Sequence, residues 1–200
     1  MRLSEAIDLL DSPQLRALKP VVAPPAPGTS PLTANPRTAM PPNAVARLRW
    51  ADLGCGSGLF TEALAQFLPR GSMIYGVDLR PTLYTEVANG VALVPIQADF
   101  VNIPLPFSDL DGILMANSLH YVEEKPAFLE KLKSYLRPAA PLLFVEYDTD
   151  RPVQTWVPWP VSFASLQPLL AKAGWASVQK LAERPSAFGH SHLYAALATV

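Results

Sequence analysis

The sequence predicts an α/β fold in which helices pack against a largely parallel sheet. From Leu48 onward, short apolar runs alternate with segments whose apolar residues recur at helical spacing, the pattern of successive βαβ units. Glycine and proline residues stand between the two kinds of segment, as expected for turns. The chain has 200 residues, 50% of them hydrophobic, enough for one domain that buries about two-thirds of its unfolded surface.

Seven strands are expected, each a short apolar run bounded by turn residues. They lie at residues 48–53, 72–79, 91–97, 111–117, 141–147, 175–183 and 192–200. Helices are predicted between them at 60–68, after Pro81, at 126–137 and at 163–173. The first helix has apolar residues at i, i+3, i+4 and i+7, namely Phe60, Ala63, Leu64 and Phe67. Prolines stand near the start of the other three, where the missing N–H of proline is tolerated.

The residues before Leu48 are predicted to form two further segments. Residues 1–19 carry Leu3, Ile7 and Leu10 at helical spacing and predict a short amphipathic helix. Residues 20–47 form a proline-rich linker, in which eight prolines between positions 20 and 42 prevent a regular helix or sheet. We expect this linker to be mobile or to wrap the surface, and residues 48–200 to form the main domain.

The composition disfavours several classes of protein. Sixteen basic and 17 acidic residues give a net charge of -1, without the basic surplus that drives binding to nucleic acids. The single cysteine, Cys55, cannot form an internal disulfide, which is consistent with a cytoplasmic location. No run of 18 apolar residues indicates a membrane span, so no membrane partner is expected. His190 and His192 are spaced like a metal-binding pair, but without a third ligand in view they predict no metal site.

A glycine-rich turn follows the first predicted strand and opens the first predicted helix. It reads Asp52-Leu-Gly54-Cys-Gly56-Ser-Gly58, and the alternating glycines let the backbone turn sharply and approach a ligand. The unpaired N–H groups at the start of the helix favour a ligand that carries a carboxylate or phosphate. Leu59 departs from the dinucleotide fingerprint GxGxxG, and no GK[ST] follows as in a phosphate-binding loop.

Two aspartates follow the next two strands. Asp78 lies 20 residues after Gly58, the spacing at which an acidic residue accepts hydrogen bonds from ribose hydroxyls. Asp99 follows the third strand, where a carboxylate can accept from an amino group on the edge of a base. Each of these aspartates could instead cap a turn. Together with the glycine loop, they predict a ligand that contains a ribose.

Four successive segments resemble the motifs of the class I S-adenosylmethionine-dependent methyltransferases. They are ADLGCGSGLF at 51–60, YGVDL at 75–79, QADF at 97–100 and DGILMANSLHYV at 111–122. The likeness covers about residues 50–200 and extends to the order of the motifs. It implies a Rossmann-like sheet of seven mostly parallel strands in the order 3-2-1-4-5-7-6, with an antiparallel last strand and helices on both faces.

The resemblance also implies a role for each motif residue toward S-adenosylmethionine. The glycine loop would hold the methionine end of the cofactor, through Asp52, Gly54, Gly56 and Gly58. Asp78 would bind the ribose hydroxyls and Asp99 the adenine amino group. The adenine ring would lie between Leu79 and Phe100. Asn117 would lie beside the sulfonium.

The function implied is transfer of the methyl group to a small-molecule acceptor by in-line displacement, releasing S-adenosylhomocysteine. His120 is the candidate general base, because its ordinary pKa suits proton removal near neutral pH. Tyr147, at the end of the fifth strand, is a second candidate catalytic residue. Trp156 and Trp159 could form an aromatic wall of the acceptor site or a hydrophobic plug over the sheet.

Other functions stay open on the sequence alone. A protein of the same fold could bind S-adenosylmethionine without catalysis, as a sensor or a partner subunit. A nicotinamide-dependent oxidoreductase is disfavoured by Leu59 and by the lack of a YxxxK pair. The segment Asn117-Ser-Leu-His120 also departs from the [DNS]PP[YFW] pattern of enzymes that methylate amino groups of nucleic acids.

Overall fold

The computed structural model describes residues 1–18, 47–186 and 192–199. Eight strands form one sheet in the order β3-β4-β2-β1-β5-β6-β8-β7. They are β1 Arg49–Leu53, β2 Met73–Asp78, β3 Glu86–Ala88, β4 Val91–Gln97, β5 Gly112–Ala116, β6 Leu142–Tyr147, β7 Ser177–Pro185 and β8 His192–Thr199. The central strands are parallel, whereas β8 runs antiparallel to both β6 and β7.

The α/β class and the implied strand order are confirmed, with one added strand. Without β3, the sheet order is the 3-2-1-4-5-7-6 arrangement expected from the motifs. The seven expected strands all form, with bounds that differ by up to two residues among the described positions. The predicted count of seven strands was wrong because β3 adds an eighth at the edge of the sheet.

The extra strand replaces the helix predicted after Pro81, which was wrong. Residues 79–85 form no helix, and β3 pairs antiparallel with β4 so that Ala88 lies opposite Val91. The two residues between them, Asn89 and Gly90, have φ angles of 52° and 78°. Asn-Gly is the preferred pair for such a two-residue hairpin turn, because both positions require a positive φ. The local turn sequence therefore outweighs the proline as a structural signal.

Helices cover both faces of the sheet. They are α1 Leu3–Leu10, α2 Pro13–Arg16, α3 Leu59–Ala65, α4 Lys125–Lys133 and α5 Phe163–Lys172, with a 3-10 turn at Leu119–Tyr121. Apolar residues of α1 and α3 pack in one cluster on one face of the sheet, and those of α4 and α5 in a second cluster on the other face. The helix predicted within residues 1–19 is thus present and packs beside α3. Nearly all of the predicted linker, residues 20–47, lies outside the described residues.

The carboxyl ends of the parallel strands meet at one edge of the sheet. The chain passes from β1 to β2 on one side and returns to β5 on the other side of β1. The strand order therefore reverses at β1, and ligands of open α/β sheets bind outside the strand ends at such a point. Among the described residues, no helix is both long and apolar enough to cross a membrane.

The central strand is held by a close contact between an indole and a glycine. Trp50 of β1 is fully buried, and a Cβ on Gly112 of β5 would lie 2.5 Å from two of its ring carbons. The neighbouring strands can therefore pair at this point only if residue 112 has no side chain.

We expect Gly112→Ala to lower the free energy of unfolding by about 1–3 kcal/mol, because the added methyl overpacks the core against a rigid ring. Urea denaturation measures the change. The variant Trp50→Phe provides the control, since a smaller ring makes room and the Trp50 indole N–H has no hydrogen-bond partner among the described residues. If the changes in the free energy of unfolding caused by Gly112→Ala and Trp50→Phe simply add in the double variant, the two residues do not interact and the explanation is contradicted.

Candidate functional site

The glycine loop connects β1 to α3 and borders an open space. Gly54, Gly56 and Gly58 all have positive φ angles, of 85°, 52° and 89°. A Cβ on Gly54 would lie 2.4 Å from Ser118 Cβ, and one on Gly58 would lie 2.4 Å from Leu83 Cδ1. By contrast, a Cβ on Gly56 would have no described heavy atom within 4 Å. Two of the glycines are thus required by packing, and the third leaves room for a ligand against the backbone.

Asp78 closes one side of the loop. Its Oδ2 accepts the backbone N–H of Gly56 over 3.0 Å, and its Oδ1 accepts that of Arg80 over 2.9 Å. A carboxylate offers about four acceptor sites, so about two remain for hydroxyl groups of a ligand. The next residue, Leu79, is 60% exposed and provides an apolar surface beside the carboxylate.

Asp52 lies beneath the loop and is buried with one oxygen unpaired. The Thr61 hydroxyl donates to Asp52 Oδ2 over 2.6 Å, whereas Oδ1 has no hydrogen-bond partner among the described residues. Burial raises the pKa of Asp52 to about 7, the bond from Thr61 opposes this rise, and the charge of Asp78 adds to it. Asp52 is therefore a buried acceptor that a donor from a ligand would satisfy.

Asp99 caps the turn that follows β4. It accepts the backbone N–H groups of Val101 and Asn102 over 3.0 Å each and the Asn102 side-chain amide over 2.8 Å. The Asn102 amide, followed by the backbone donors, lowers the pKa of this carboxyl. The neighbouring Phe100 is buried, and its ring lies 3.6 Å from the position of a Cβ on Gly54. Phe100 thus borders the glycine loop, and Asp99 retains about one free acceptor site.

Asn117 lies at the end of β5 in a strained backbone conformation. Its φ is 53°, in the left-handed region that non-glycine residues seldom adopt. Its side-chain Oδ1 is buried and has no partner among the described residues. The next residue, Ser118, donates its hydroxyl to the Leu53 carbonyl over 2.5 Å, which ties this turn to the glycine loop.

Glu146 of β6 binds the turn that follows β5. Its Oε1 accepts the backbone N–H groups of Ser118 and Leu119 over 3.0 and 2.7 Å, and its Oε2 lies 2.6 Å from His120 Nδ1. Both Glu146 and His120 are buried. Sequence analysis missed this role for Glu146. The available signal was a single charged residue in the otherwise apolar strand LLFVEY, because a buried charge requires partners.

Two tyrosines surround the His120 ring. Its centroid lies 4.4 Å from that of Tyr121 and 6.1 Å from that of Tyr147. Burial, and then the negative charge of Glu146, raises the pKa of each phenol. The hydroxyl of Tyr147 is therefore protonated near neutral pH and can donate a hydrogen bond.

The remaining candidates fall into two groups. Trp159 lines a cavity of about 440 Å³, whereas Trp156 does not line it and is 75% exposed, so the two indoles do not share this wall. His192 is exposed at the start of β8, and His190 lies outside the described residues. Within the described ranges, no three His, Cys, Asp or Glu side chains form a group that could hold a metal ion.

Asp52→Asn tests the buried carboxyl through the pH dependence of stability. The folded pKa of about 7 lies above the ordinary 3.8, so the stabilising contribution of Asp52 is complete below about pH 4 and is lost as the pH rises through 7. We expect the free energy of unfolding of the variant, relative to the wild type, to rise by on the order of 2–4 kcal/mol between pH 4 and 7.5. Chemical denaturation across this range measures it.

The variant Thr61→Val is the control, because it removes only the hydrogen bond that favours the charged form. We expect it to strengthen the loss of stability with rising pH. If the difference in the free energy of unfolding between wild type and Asp52→Asn does not change with pH, the raised pKa of Asp52 is contradicted.

This chain resembles known proteins in sequence and in fold. Residues 51–144 match the family model described as a methyltransferase domain. An uncharacterized methyltransferase of Mycobacterium tuberculosis is 28% identical over 101 residues, which are 49% of this chain and 50% of the relative. The 2-phytyl-1,4-naphtoquinone methyltransferase of Nostoc punctiforme is 27% identical over 103 residues, 48% of this chain and 45% of that protein. The chain thus spans about half the length of the curated relatives it matches.

Solved structures share the fold at low identity. The 1,6-didemethyltoxoflavin-N1-methyltransferase of Burkholderia thailandensis was solved with bound 1,6-didemethyltoxoflavin and S-adenosylhomocysteine. It superposes with a TM-score of 0.58 and 18% identity, covering 76% of this chain and 71% of that one. A SAM-dependent methyltransferase from Aquifex aeolicus superposes with a TM-score of 0.55 and 19% identity, covering 76% of this chain and 82% of that one. The range that the family model matches includes the glycine loop, Asp78, Asp99 and Asn117. Residues 51–144 therefore match the methyltransferase-domain family, and the described residues have the fold of the class I S-adenosylmethionine-dependent methyltransferases.

Proposed function

We propose that the chain binds S-adenosylmethionine at this edge of the sheet and transfers its methyl group to a small-molecule acceptor. The observation that carries the proposal is the open space at Gly56, bounded by an Asp78 carboxylate with free acceptor sites. Two buried oxygens, Asp52 Oδ1 and Asn117 Oδ1, also have no partner among the described residues. All of these groups accept hydrogen bonds, which fits a ligand that presents an ammonium group and hydroxyls.

Each expected residue has a role in this proposal. Asp52, Asn117 and the backbone of Gly54, Gly56 and Gly58 hold the methionine end. Asp78 accepts from the ribose hydroxyls, because about two of its acceptor sites are free. Asp99 has about one free site for the adenine amino group while it caps its own turn. Leu79 and Phe100 enclose the adenine ring.

In this reaction the main task of the protein is to position the two reactants. The cofactor supplies a methyl group on a sulfonium, which is already a strong electrophile. The residues of the chain hold the acceptor in line with that group and exclude water, and such alignment lowers the barrier by several kcal/mol. No nucleophilic side chain is required.

His120 and Tyr147 are proposed to handle the acceptor proton. Glu146 engages His120 Nδ1 at 2.6 Å, so Nε2 is the ring nitrogen left to receive a proton. The protonated phenol of Tyr147 donates a hydrogen bond to the acceptor. Glu146 stabilises the imidazolium once it forms, because the two buried groups then carry opposite charges.

The relatives support a small acceptor. The Nostoc punctiforme relative is named for 2-phytyl-1,4-naphtoquinone and the Burkholderia thailandensis neighbour for 1,6-didemethyltoxoflavin, and both compounds contain a flat ring system. Small-molecule methylation in the cytoplasm, without a nucleic-acid or membrane partner, stays our prediction for this chain.

Asp78→Ala tests the cofactor site. We expect it to weaken binding of S-adenosylhomocysteine by about 10- to 150-fold, because it removes hydrogen bonds to a charged group worth about 1.5–3 kcal/mol. Calorimetric titration measures the affinity, with NAD as a control ligand. Glu86→Gln, which neutralises an exposed carboxylate on β3, should bind like the wild type. A wild type that binds NAD and not S-adenosylhomocysteine would overturn the proposal.

Gly56→Ala tests whether the cofactor lies in the open space of the loop. The added methyl meets no atom of the described residues within 4 Å, so we expect a loss of stability of about 1–2 kcal/mol, from the left-handed φ alone. Binding of S-adenosylhomocysteine should fall at least tenfold, because the methyl occupies space next to the ligand.

Gly58→Ala is the matched variant. There the methyl would lie 2.4 Å from Leu83 Cδ1, so the loss is expected mainly in stability. Thermal unfolding and calorimetry separate the two effects. Unchanged affinity in a folded Gly56→Ala protein would place the ligand elsewhere.

A further inference from the structure

We propose that the acceptor is a phenol, methylated on its hydroxyl oxygen, and that Tyr121 binds this oxygen together with His120 and Tyr147. The inference rests on the proposed function and names its substrate class. The three side chains lie at the carboxyl ends of β5 and β6, which are neighbouring strands, and His120 and Tyr121 follow Asn117 in one turn. Because the sulfonium is proposed to lie beside Asn117, an acceptor bound here is close to the transferred methyl group.

The hydrogen bonds of Glu146 fix the tautomer of His120. Glu146 Oε1 accepts three backbone N–H groups, over 3.0, 2.7 and 3.3 Å, from Ser118, Leu119 and His120. Donors in this number favour the ionised carboxylate. The proton between Glu146 Oε2 and His120 Nδ1, which lie 2.6 Å apart, therefore belongs to the nitrogen. In the neutral imidazole, His120 Nε2 is then the atom that accepts a proton.

Three polar atoms of this group are open to a ligand. His120 Nε2 and the hydroxyls of Tyr121 and Tyr147 have no hydrogen-bond partner among the described residues, and none of the three is one of the buried unpartnered atoms there. The His120 ring centroid lies 4.4 Å from that of Tyr121 and 6.1 Å from that of Tyr147. Burial, then Glu146 and then Tyr121 raise the pKa of Tyr147, so the two phenols lie close enough to affect each other. The group thus offers one acceptor and two donors.

This combination fits an oxygen nucleophile. A hydroxyl donates its proton to His120 Nε2, and its oxygen keeps lone pairs for two donors besides the pair that attacks the methyl group. Negative charge develops on the oxygen as the proton leaves, and the hydroxyls of Tyr121 and Tyr147 stabilise it. A neutral amine attacks with its only lone pair and develops no negative charge. Two hydroxyl donors therefore favour methylation of oxygen over methylation of nitrogen.

A phenol matches this base better than an aliphatic alcohol does. A phenolic hydroxyl has a pKa of about 10, as in tyrosine, whereas that of water is about 16. Transfer of the proton to an imidazole is therefore less unfavourable from a phenol. The rings of His120, Tyr121 and Tyr147 also provide flat faces against which an aromatic acceptor packs.

The proposed step conserves atoms and charge. The O–H bond of the phenol breaks, and the proton goes to His120 Nε2. A lone pair of the oxygen forms the new O–C bond, while the C–S bond breaks and its electron pair stays on sulfur. The products are a methyl ether, S-adenosylhomocysteine and an imidazolium beside Glu146, which releases its proton to water.

Ionisation of a bound phenol tests this arrangement without turnover. The probe is 4-nitrophenol, whose anion is yellow, added to the full chain saturated with S-adenosylhomocysteine at about pH 6, where most of the free probe is neutral. We expect binding to raise the fraction of anion about threefold, because His120 takes the proton and the two hydroxyls stabilise the anion. Absorption spectroscopy measures this fraction.

Variants assign the rise to named residues. Tyr121→Phe and Tyr147→Phe should each reduce it by about half or more, because each removes one donor and keeps the ring. His120→Gln should abolish it. The control is Tyr75→Phe, which removes the hydroxyl of a ring that packs against Phe107 instead, with centroids 4.9 Å apart, and should leave the rise unchanged.

Rates of methylation identify the acceptor atom. The probes 4-methylphenol and 4-methylaniline have nearly the same size and shape and differ in the atom that reacts. With S-adenosylmethionine, we expect the wild type to methylate the phenol at least about tenfold faster, because only the phenol develops the charge that the two tyrosines stabilise. Mass spectrometry of the products measures both rates.

Binding of S-adenosylhomocysteine distinguishes the possible failures. A wild type that does not bind it would overturn the proposed function and this inference with it. A wild type that binds it would overturn only the acceptor assignment if it leaves the anion fraction of 4-nitrophenol unchanged, methylates the aniline faster, or methylates neither probe. A full rise of the anion fraction in Tyr121→Phe would overturn the role of Tyr121.

Discussion

One buried carboxylate organises the functional edge of this sheet. Glu146 accepts three backbone N–H groups of the turn after β5, those of Ser118, Leu119 and His120, and pairs with the His120 ring. Buried donors of this kind require such partners. From this turn, Ser118 reaches the Leu53 carbonyl and packs against Gly54. The His120 carbonyl binds the N–H of Trp159. The glycine loop and the cavity wall are therefore both built on contacts that begin at Glu146.

The unsatisfied groups at this edge are acceptors. Asp99 and Glu146 accept hydrogen bonds from donors in their own surroundings, and Asp78 uses part of its acceptor capacity in the same way. Asp52 and Asn117 each retain a buried oxygen without a partner among the described residues. Unpaired buried acceptors cost free energy, and this supports our proposal of a ligand that donates hydrogen bonds and carries positive charge.

Local sequence was sufficient for the elements whose partners are near in the chain. Strand β1, the glycine loop and helix α3 lie within about fifteen residues, so the spacing of the glycines predicts them directly. Asp78 follows at the distance that the same kind of motif describes. The helix after Pro81 was mispredicted although the hairpin signal of Asn89 and Gly90 was equally local. In that case the proline was given more weight than the turn residues, which fix both φ angles.

By itself, the sequence determined the α/β class, the strand order implied by its motifs and the residues that surround the glycine loop. Only the tertiary structure decided which distant groups meet. Glu146 and His120 are separated by 26 residues, and Lys125 and Trp159 by 34, and neither pair follows from a periodicity or a motif. Such contacts depend on how strands β5 and β6 lie side by side and how the following loop folds back onto α4. Burying these charged groups costs free energy unless they find hydrogen-bond partners, and no local pattern records which distant residues are buried together.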